Sequence, residues 1–242
     1  FYKDSGMFTY DPGYTSTASC ESKITFIDGE NSELRYRGYD ITDLAGKHSF
    51  LDVSYLLMRG KLPTEQASKN FDIEIRHRSF LNEGIIRLFD ALPDGAHPMA
   101  TMGAATMALA AFYKDHLHLE DEDAFKMMRR RILAKMPVIA AMAYRNSIGT
   151  PLIYPDVNRY FTENFLYMLR AYPGGKMKYL GNGMNDEIKQ VEIDALDAIF
   201  TLHADHEQNA STTTVRNVGS TEAHPYVAIA SGISALWGSA HG

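Results

Sequence analysis

The sequence is poor in the features that most quickly sort a chain into a class. It holds one cysteine, Cys20, and one tryptophan, Trp237, in 242 residues, so no internal disulfide can form and a disulfide-stapled secreted scaffold is excluded. No apolar run approaches the roughly 20 residues needed to cross a bilayer, and no charged-then-apolar leader opens the chain. Positive charge is in deficit: 24 Lys and Arg stand against 30 Asp and Glu, a formal charge of −6, which disfavours a protein that grips nucleic acid by neutralising phosphates. A soluble globular protein is expected, cytoplasmic and without a nucleic-acid or membrane partner. Its 45% hydrophobic content suffices for a substantial core. A chain that opens on Phe1 and closes at Gly242, just after a histidine, is expected to be part of a longer protein.

Residues 1–22, rich in Gly, Ser, Thr and Tyr, have no helical period and predict an extended arm tethered by its aromatics. Two β-favouring runs, 24–27 and 34–37, surround the turn chemistry of Asp28-Gly29 and predict a hairpin. From residue 41 the pattern is helical. Helices are expected over 41–45, 50–58 (stopped by Gly60 and Pro63), 64–78, 83–91, 98–113, 160–172, 187–200 and 225–236, with loops over 150–158 and 173–185. A break at Lys135-Met136 would place Pro137 at the first position of a new helix. Residues 98–113 carry no charge, and 137–144 are as apolar. Such helices must be covered all round, and both are read as paired interface helices through which the chain self-associates, although ordinary core helices are about equally supported by the sequence.

Chemistry concentrates in two blocks: His203-Ala204-Asp205-His206-Glu207-Gln208-Asn209, and Trp237-Gly238-Ser239-Ala240-His241-Gly242. If the helix over 187–200 continues, Ile199, Leu202 and His206 share a face that buries His206 in part. The plain reading of each histidine is a core imidazole donating to a carbonyl, and for His203 it is preferred. A metal reading would recruit His203, Asp205, His206 and Glu207. Their order, however, is not the His-Glu-x-x-His of metalloproteases and no further ligand is apparent, so no metal is expected. His241 follows small residues that let backbone and substrate approach closely. Its plain reading is a histidine complementing a helix C-terminus.

These blocks, with 10–24, Tyr36-Arg37-Gly38-Tyr39-Asp40-Ile41, His97-Pro98-Met99 and Ala134-Lys135-Met136-Pro137, resemble the citrate synthases, in particular the hexameric type of Gram-negative bacteria. The resemblance covers the N-terminal part of such enzymes. It implies a mainly α fold in which 1–40 form an arm and a small β-hairpin and 41–242 the first part of the large helical domain, the small domain lying mostly beyond residue 242. It implies condensation of acetyl-CoA with oxaloacetate and water to give citrate and CoA, a tricarboxylic acid cycle step that needs no cofactor. His206 would then hydrogen-bond the oxaloacetate carbonyl and carboxylate region, and His241 would polarise the thioester carbonyl. The two should converge on one cleft while His203 points into packing. The family's aspartate base, a further histidine and its arginine clamp belong to later motifs, so these 242 residues alone are expected to be inactive.

The same resemblance implies a homodimer assembling to a homohexamer, and an allosteric NADH site at Arg76, His77, Tyr113, Arg131 and Lys135. Arg78, Ser79 and the lack of a cysteine in 173–185 depart from that site's pattern. As surface charge, these cations would simply be solvated faces. Two alternatives stand beside the citrate synthase reading: a 2-methylcitrate synthase using propionyl-CoA, and a noncatalytic helical oligomerisation module.

Overall fold

A computed structural model describes residues 2–8, 10–11, 20–113, 121–173 and 188–239. The arm, expected to be extended, begins instead with one helical turn, α1 (Tyr2–Ser5). Phe8 and Tyr10 are 82% and 89% exposed, so these two rings are not buried against the body of the chain.

The expected hairpin is β1 (Thr25–Asp28) against β2 (Glu33–Tyr36), with Thr25 opposite Tyr36 and Ile27 opposite Leu34. A third strand, β3 (Tyr39–Asp40), pairs with the other edge of β2 and was not expected. Arg37 and Gly38 have φ of 51° and 88°. Two positive φ values in succession suit a two-residue reversal between antiparallel strands. The guanidinium of Arg37 then reaches the Leu57 carbonyl through Nη2 at 2.7 Å, which fixes the turn despite the cost of a left-handed non-glycine residue.

The helices follow as α2 (Ile41–Leu44), α3 (Phe50–Arg59), α4 (Glu65–His77), α5 (Glu83–Asp90), α6 (Pro98–Phe112), α7 (Glu122–Ser147), α8 (Phe161–Arg170), α9 (Gln190–Leu202), α10 (Ala210–Gly219) and α11 (Pro225–Leu236). Asp40, Ser49, Thr64 and Asp121 cap α2, α3, α4 and α7 through side-chain oxygens, and Gly60 ends α3 at φ 82°.

Two expectations fail here. The break at Lys135-Met136 does not occur: α7 runs unbroken for 26 residues with Pro137 inside it. Proline removes one backbone donor, but Ala134, Lys135, Val138 and Ile139 on either side are all buried, so packing overrides the local preference. Helix α10 was missed because Ser211-Thr212-Thr213-Thr214-Val215 reads as a weak helix former. The Asn209 cap and contact with α11 sustain it.

The main core unites α5, α6, α7, α8 and α11 through Phe89, Leu109, Ile139, Met142, Met168 and Tyr226. Helix α11 packs between α6 and α10. Gly232 makes the second contact possible, since a Cβ there would lie 2.6 Å from Val215 Cγ2 and 3.3 Å from the Ser211 carbonyl oxygen. The two apolar segments differ in role. In 137–144, Val138, Ile139, Ala141, Met142 and Ala143 are buried, so this stretch is chiefly core. Helix α6 buries Thr101, Ala105 and Leu109 but exposes Ala104, Met107 and Phe112. No helix among the described residues is long and apolar enough to cross a membrane.

Candidate functional site

The histidine block begins where α9 stops. His203 is the C-cap residue, and both its backbone N–H (3.1 Å) and its ring Nδ1 (2.8 Å) donate to the Ile199 carbonyl, which the helix end would otherwise leave open. Nδ1 therefore carries the proton. The bond to a carbonyl was foreseen, but the surroundings were not: His203 is exposed, not packed.

Nor does α9 carry on to His206. A continuing helix would bond the residue 206 amide to the Leu202 carbonyl. Instead the hydroxyl of Tyr36 lies 3.3 Å from that carbonyl and 3.1 Å from the Asp205 carbonyl. Tyr36 is fully buried, and burial raises the pKa of its hydroxyl, keeping it a donor. Ile199, Leu202 and His206 thus share no helical face, and His206 is exposed rather than half-buried.

The acids flanking His206 both turn to the sheet. Asp205 Oδ2 accepts from Thr25 Oγ1 at 2.5 Å and from the Glu207 amide at 3.1 Å, while Glu207 Oε1 accepts from the Ile27 amide at 3.0 Å. Glu207 sits at φ 54°, left-handed for a residue with a Cβ. Two residues on, Asn209 accepts from the Thr212 amide at 2.8 Å and starts α10. Asp205 and Glu207, weighed above as metal ligands, are engaged with backbone and hydroxyl donors. Among the described residues no group of three or more His, Cys, Asp or Glu is arranged to hold a metal.

The second block follows α11. Its C-cap, Trp237, stacks on His97 with ring centroids 5.0 Å apart and planes inclined by 23°. His97 also caps α6, its Nδ1 accepting from the Met99 amide at 3.2 Å. At the opposite end of this antiparallel pair, His224 caps α11 through Nδ1 and bonds the Tyr113 carbonyl, just past α6, through Nε2 at 3.1 Å. One histidine at each end thereby ties the start of one helix to the finish of the other. His241 lies outside the described residues, so its expected convergence with His206 does as well.

Three of the five cation-site residues come together. The Arg131 guanidinium lies 4.5 Å from the Tyr113 ring centroid and Lys135 Nζ 5.7 Å from it. Lys135 is only 3% exposed, and its ammonium donates to the carbonyls of Phe80 and, at 3.0 Å, Arg78. Burial, aided by the charges of Arg131 and Arg78, lowers its pKa to about 8. Tyr226, fully buried against this group, is pushed up to about 12 by burial. Arg76 faces elsewhere: it pairs with Asp72 at 2.7 Å, donates to the Val157 carbonyl at 2.8 Å and covers the Tyr160 ring. His77 is exposed in the last turn of α4.

The sequence model of the family described as citrate synthase, C-terminal domain, matches residues 13–242. The chain belongs to the citrate synthase family. A citrate synthase of Helicobacter pylori strain J99 is 50% identical over all 242 residues, which cover 57% of that relative. The chain therefore spans little more than half the length of such relatives. Among solved structures, the citrate synthase of Pyrobaculum aerophilum superposes with a TM-score of 0.79 at 31% identity, over 92% of this chain and 54% of that one. The citrate synthase of Thermoplasma acidophilum, described as a ternary complex with carboxymethyl coenzyme A and oxaloacetate, gives 0.82 at 26% identity, over 93% and 55%. The mainly helical citrate synthase fold with a small antiparallel sheet is thus shown. The sheet's grip on the histidine loop escaped sequence reasoning because Thr25 and Asp205 are 180 positions apart. His224 and Tyr226 escaped it too, as members of the cation cluster.

Proposed function

We propose that this chain carries the substrate-facing histidines of an enzyme that condenses acetyl-CoA with oxaloacetate and water to give citrate and CoA. The observation that carries the reading is the family match across 13–242, with His206 exposed between two acids fixed to the sheet. A hydrogen bond from His241 to the thioester oxygen would stabilise the enolate that forms as the methyl proton passes to a carboxylate, the aspartate base that the family resemblance implies. The enolate carbon attacks the oxaloacetate ketone, and His206 donates to the oxygen as it becomes an alkoxide. Water then cleaves the thioester and CoA leaves as the free thiol. The oxaloacetate and carboxymethyl coenzyme A held by the Thermoplasma relative support this choice of substrates.

The finer reading is the hexameric Gram-negative type, built from homodimers and acting in the cytoplasm. NADH is its proposed regulator; of the five residues expected to hold it, Tyr113, Arg131 and Lys135 cluster, whereas Arg76 is engaged with Asp72, the Val157 carbonyl and Tyr160. Thiol release by the longer protein that contains this chain tests the activity. Oxaloacetate-dependent release from acetyl-CoA is expected. Faster release from propionyl-CoA would mean a 2-methylcitrate synthase, and none from either would leave a helical assembly module. His241→Ala should lower turnover roughly 10²- to 10³-fold, the usual cost of one oxyanion donor. A change confined to the Michaelis constant would argue against that role.

A further inference from the structure

We infer that the three-stranded sheet is a positioning platform for His206, and that Thr25 and Tyr36 are positioning residues for the ketone-binding histidine. This rests on the citrate synthase reading of His206. Residues 203–209 form no regular structure, so something other than helix or strand hydrogen bonds must fix where the imidazole points. The sheet supplies three ties: Thr25 Oγ1 to the Asp205 carboxylate (2.5 Å), the Ile27 amide to the Glu207 carboxylate (3.0 Å), and the Tyr36 hydroxyl to the Asp205 carbonyl (3.1 Å).

The pattern of these ties matters more than their number. They hold the residues immediately before and after His206, and both flanking side chains go to the same surface. The side chain between them is exposed and makes none of these ties. Glu207 is held left-handed at φ 54° within this arrangement, a conformation that persists only where surrounding contacts over-determine it. The Glu207 amide bonds the same Asp205 oxygen that Thr25 grips, so the turn and its anchor form one unit. A charged donor or acceptor placed within a fraction of an ångström is what catalytic geometry requires, and a misplacement of about 1 Å can cost on the order of 10²-fold in rate.

The test uses the longer protein containing this chain. Thr25→Val keeps the side-chain shape but deletes the hydroxyl; Thr25→Ser keeps the hydroxyl. Thr25→Val is expected to lower kcat/KM for oxaloacetate about tenfold while the KM for acetyl-CoA stays within about twofold, and Thr25→Ser to restore it. In a His206→Ala background, Thr25→Val should add nothing, because it acts through that histidine. Costs that multiply in the double variant, or a Thr25→Val enzyme with unchanged kinetics, would overturn the proposal. Hydrogen exchange reads the platform without turnover. Amides 203–209 should exchange faster in Thr25→Val than in Thr25→Ser, with the α5–α8 core unchanged; equal exchange overturns the proposal. A protein without thiol release whose 203–209 amides still respond to Thr25→Val would defeat the citrate synthase reading and leave the platform standing.

Discussion

Lys135 is the residue whose chemistry departs furthest from its ordinary state. A lysine carrying a folded-state pKa of about 8 against an ordinary 10.5 binds its proton less tightly in the folded chain than in the unfolded one. The charged form is therefore a liability to folding below pH 8, and that liability shrinks as pH rises from about 8 towards 10.5. Compared with Lys135→Met, the wild-type chain should gain about 2 kcal/mol of stability between pH 8 and 10 in denaturant titrations. Parallel stability curves for the two proteins would mean that the ammonium is solvated. Tyr226 works in the opposite direction, since a phenol raised to about 12 destabilises the fold only above pH 10, outside this window. Sequence shows Arg131 and Lys135 one helical turn apart and hence on one face. It does not show that Lys135 lies beneath that face, because depth is set by the chain near Arg78 and Phe80, some 55 positions away.

Among the elements, α6 and α11 make the most informative pair. His97 both caps α6 and stacks on Trp237, and the two jobs separate by mutation. Asparagine can replace the cap but not the stack; alanine replaces neither. Since Trp237 is the sole tryptophan of the 242-residue chain, its emission reports the stack alone. His97→Asn and His97→Ala should both shift Trp237 emission to longer wavelength as the indole loses its cover, whereas only His97→Ala should lose about 1 kcal/mol of stability. Unchanged emission in both would place the rings apart in solution. Hydrophobic period and capping residues made most helices legible, because both act within a few residues. Helix α10, the unbroken α7 and strand β3 were not, since α11, the burial of Ala134 and Val138, and the Arg37 contact with Leu57 decide them. The same division holds at the site: the motif exposed the two histidine blocks, but Tyr36, which halts α9, is 166 positions from the Leu202 carbonyl it meets.

For the molecule as a whole, the open question posed by the uncharged α6 has a partial answer in its two faces. Thr101, Ala105 and Leu109 point into the core, whereas Ala100, Ala104, Met107 and Ala111, spaced four, three and four apart, form an exposed stripe of small and apolar side chains. We propose that this stripe, which carries no charge, packs against a second copy of this chain. Ala104→Glu places a charge on that stripe, where the single chain tolerates it and a packed interface does not. The mass measured by light scattering should then fall towards that of the monomer while helicity by circular dichroism stays constant. Ala105→Glu, one position along, turns the same charge into a fully buried site and should reduce helicity instead. An Ala104→Glu protein that keeps both its mass and its helicity would place the interface elsewhere on the surface and leave the exposed face of α6 as solvated small side chains.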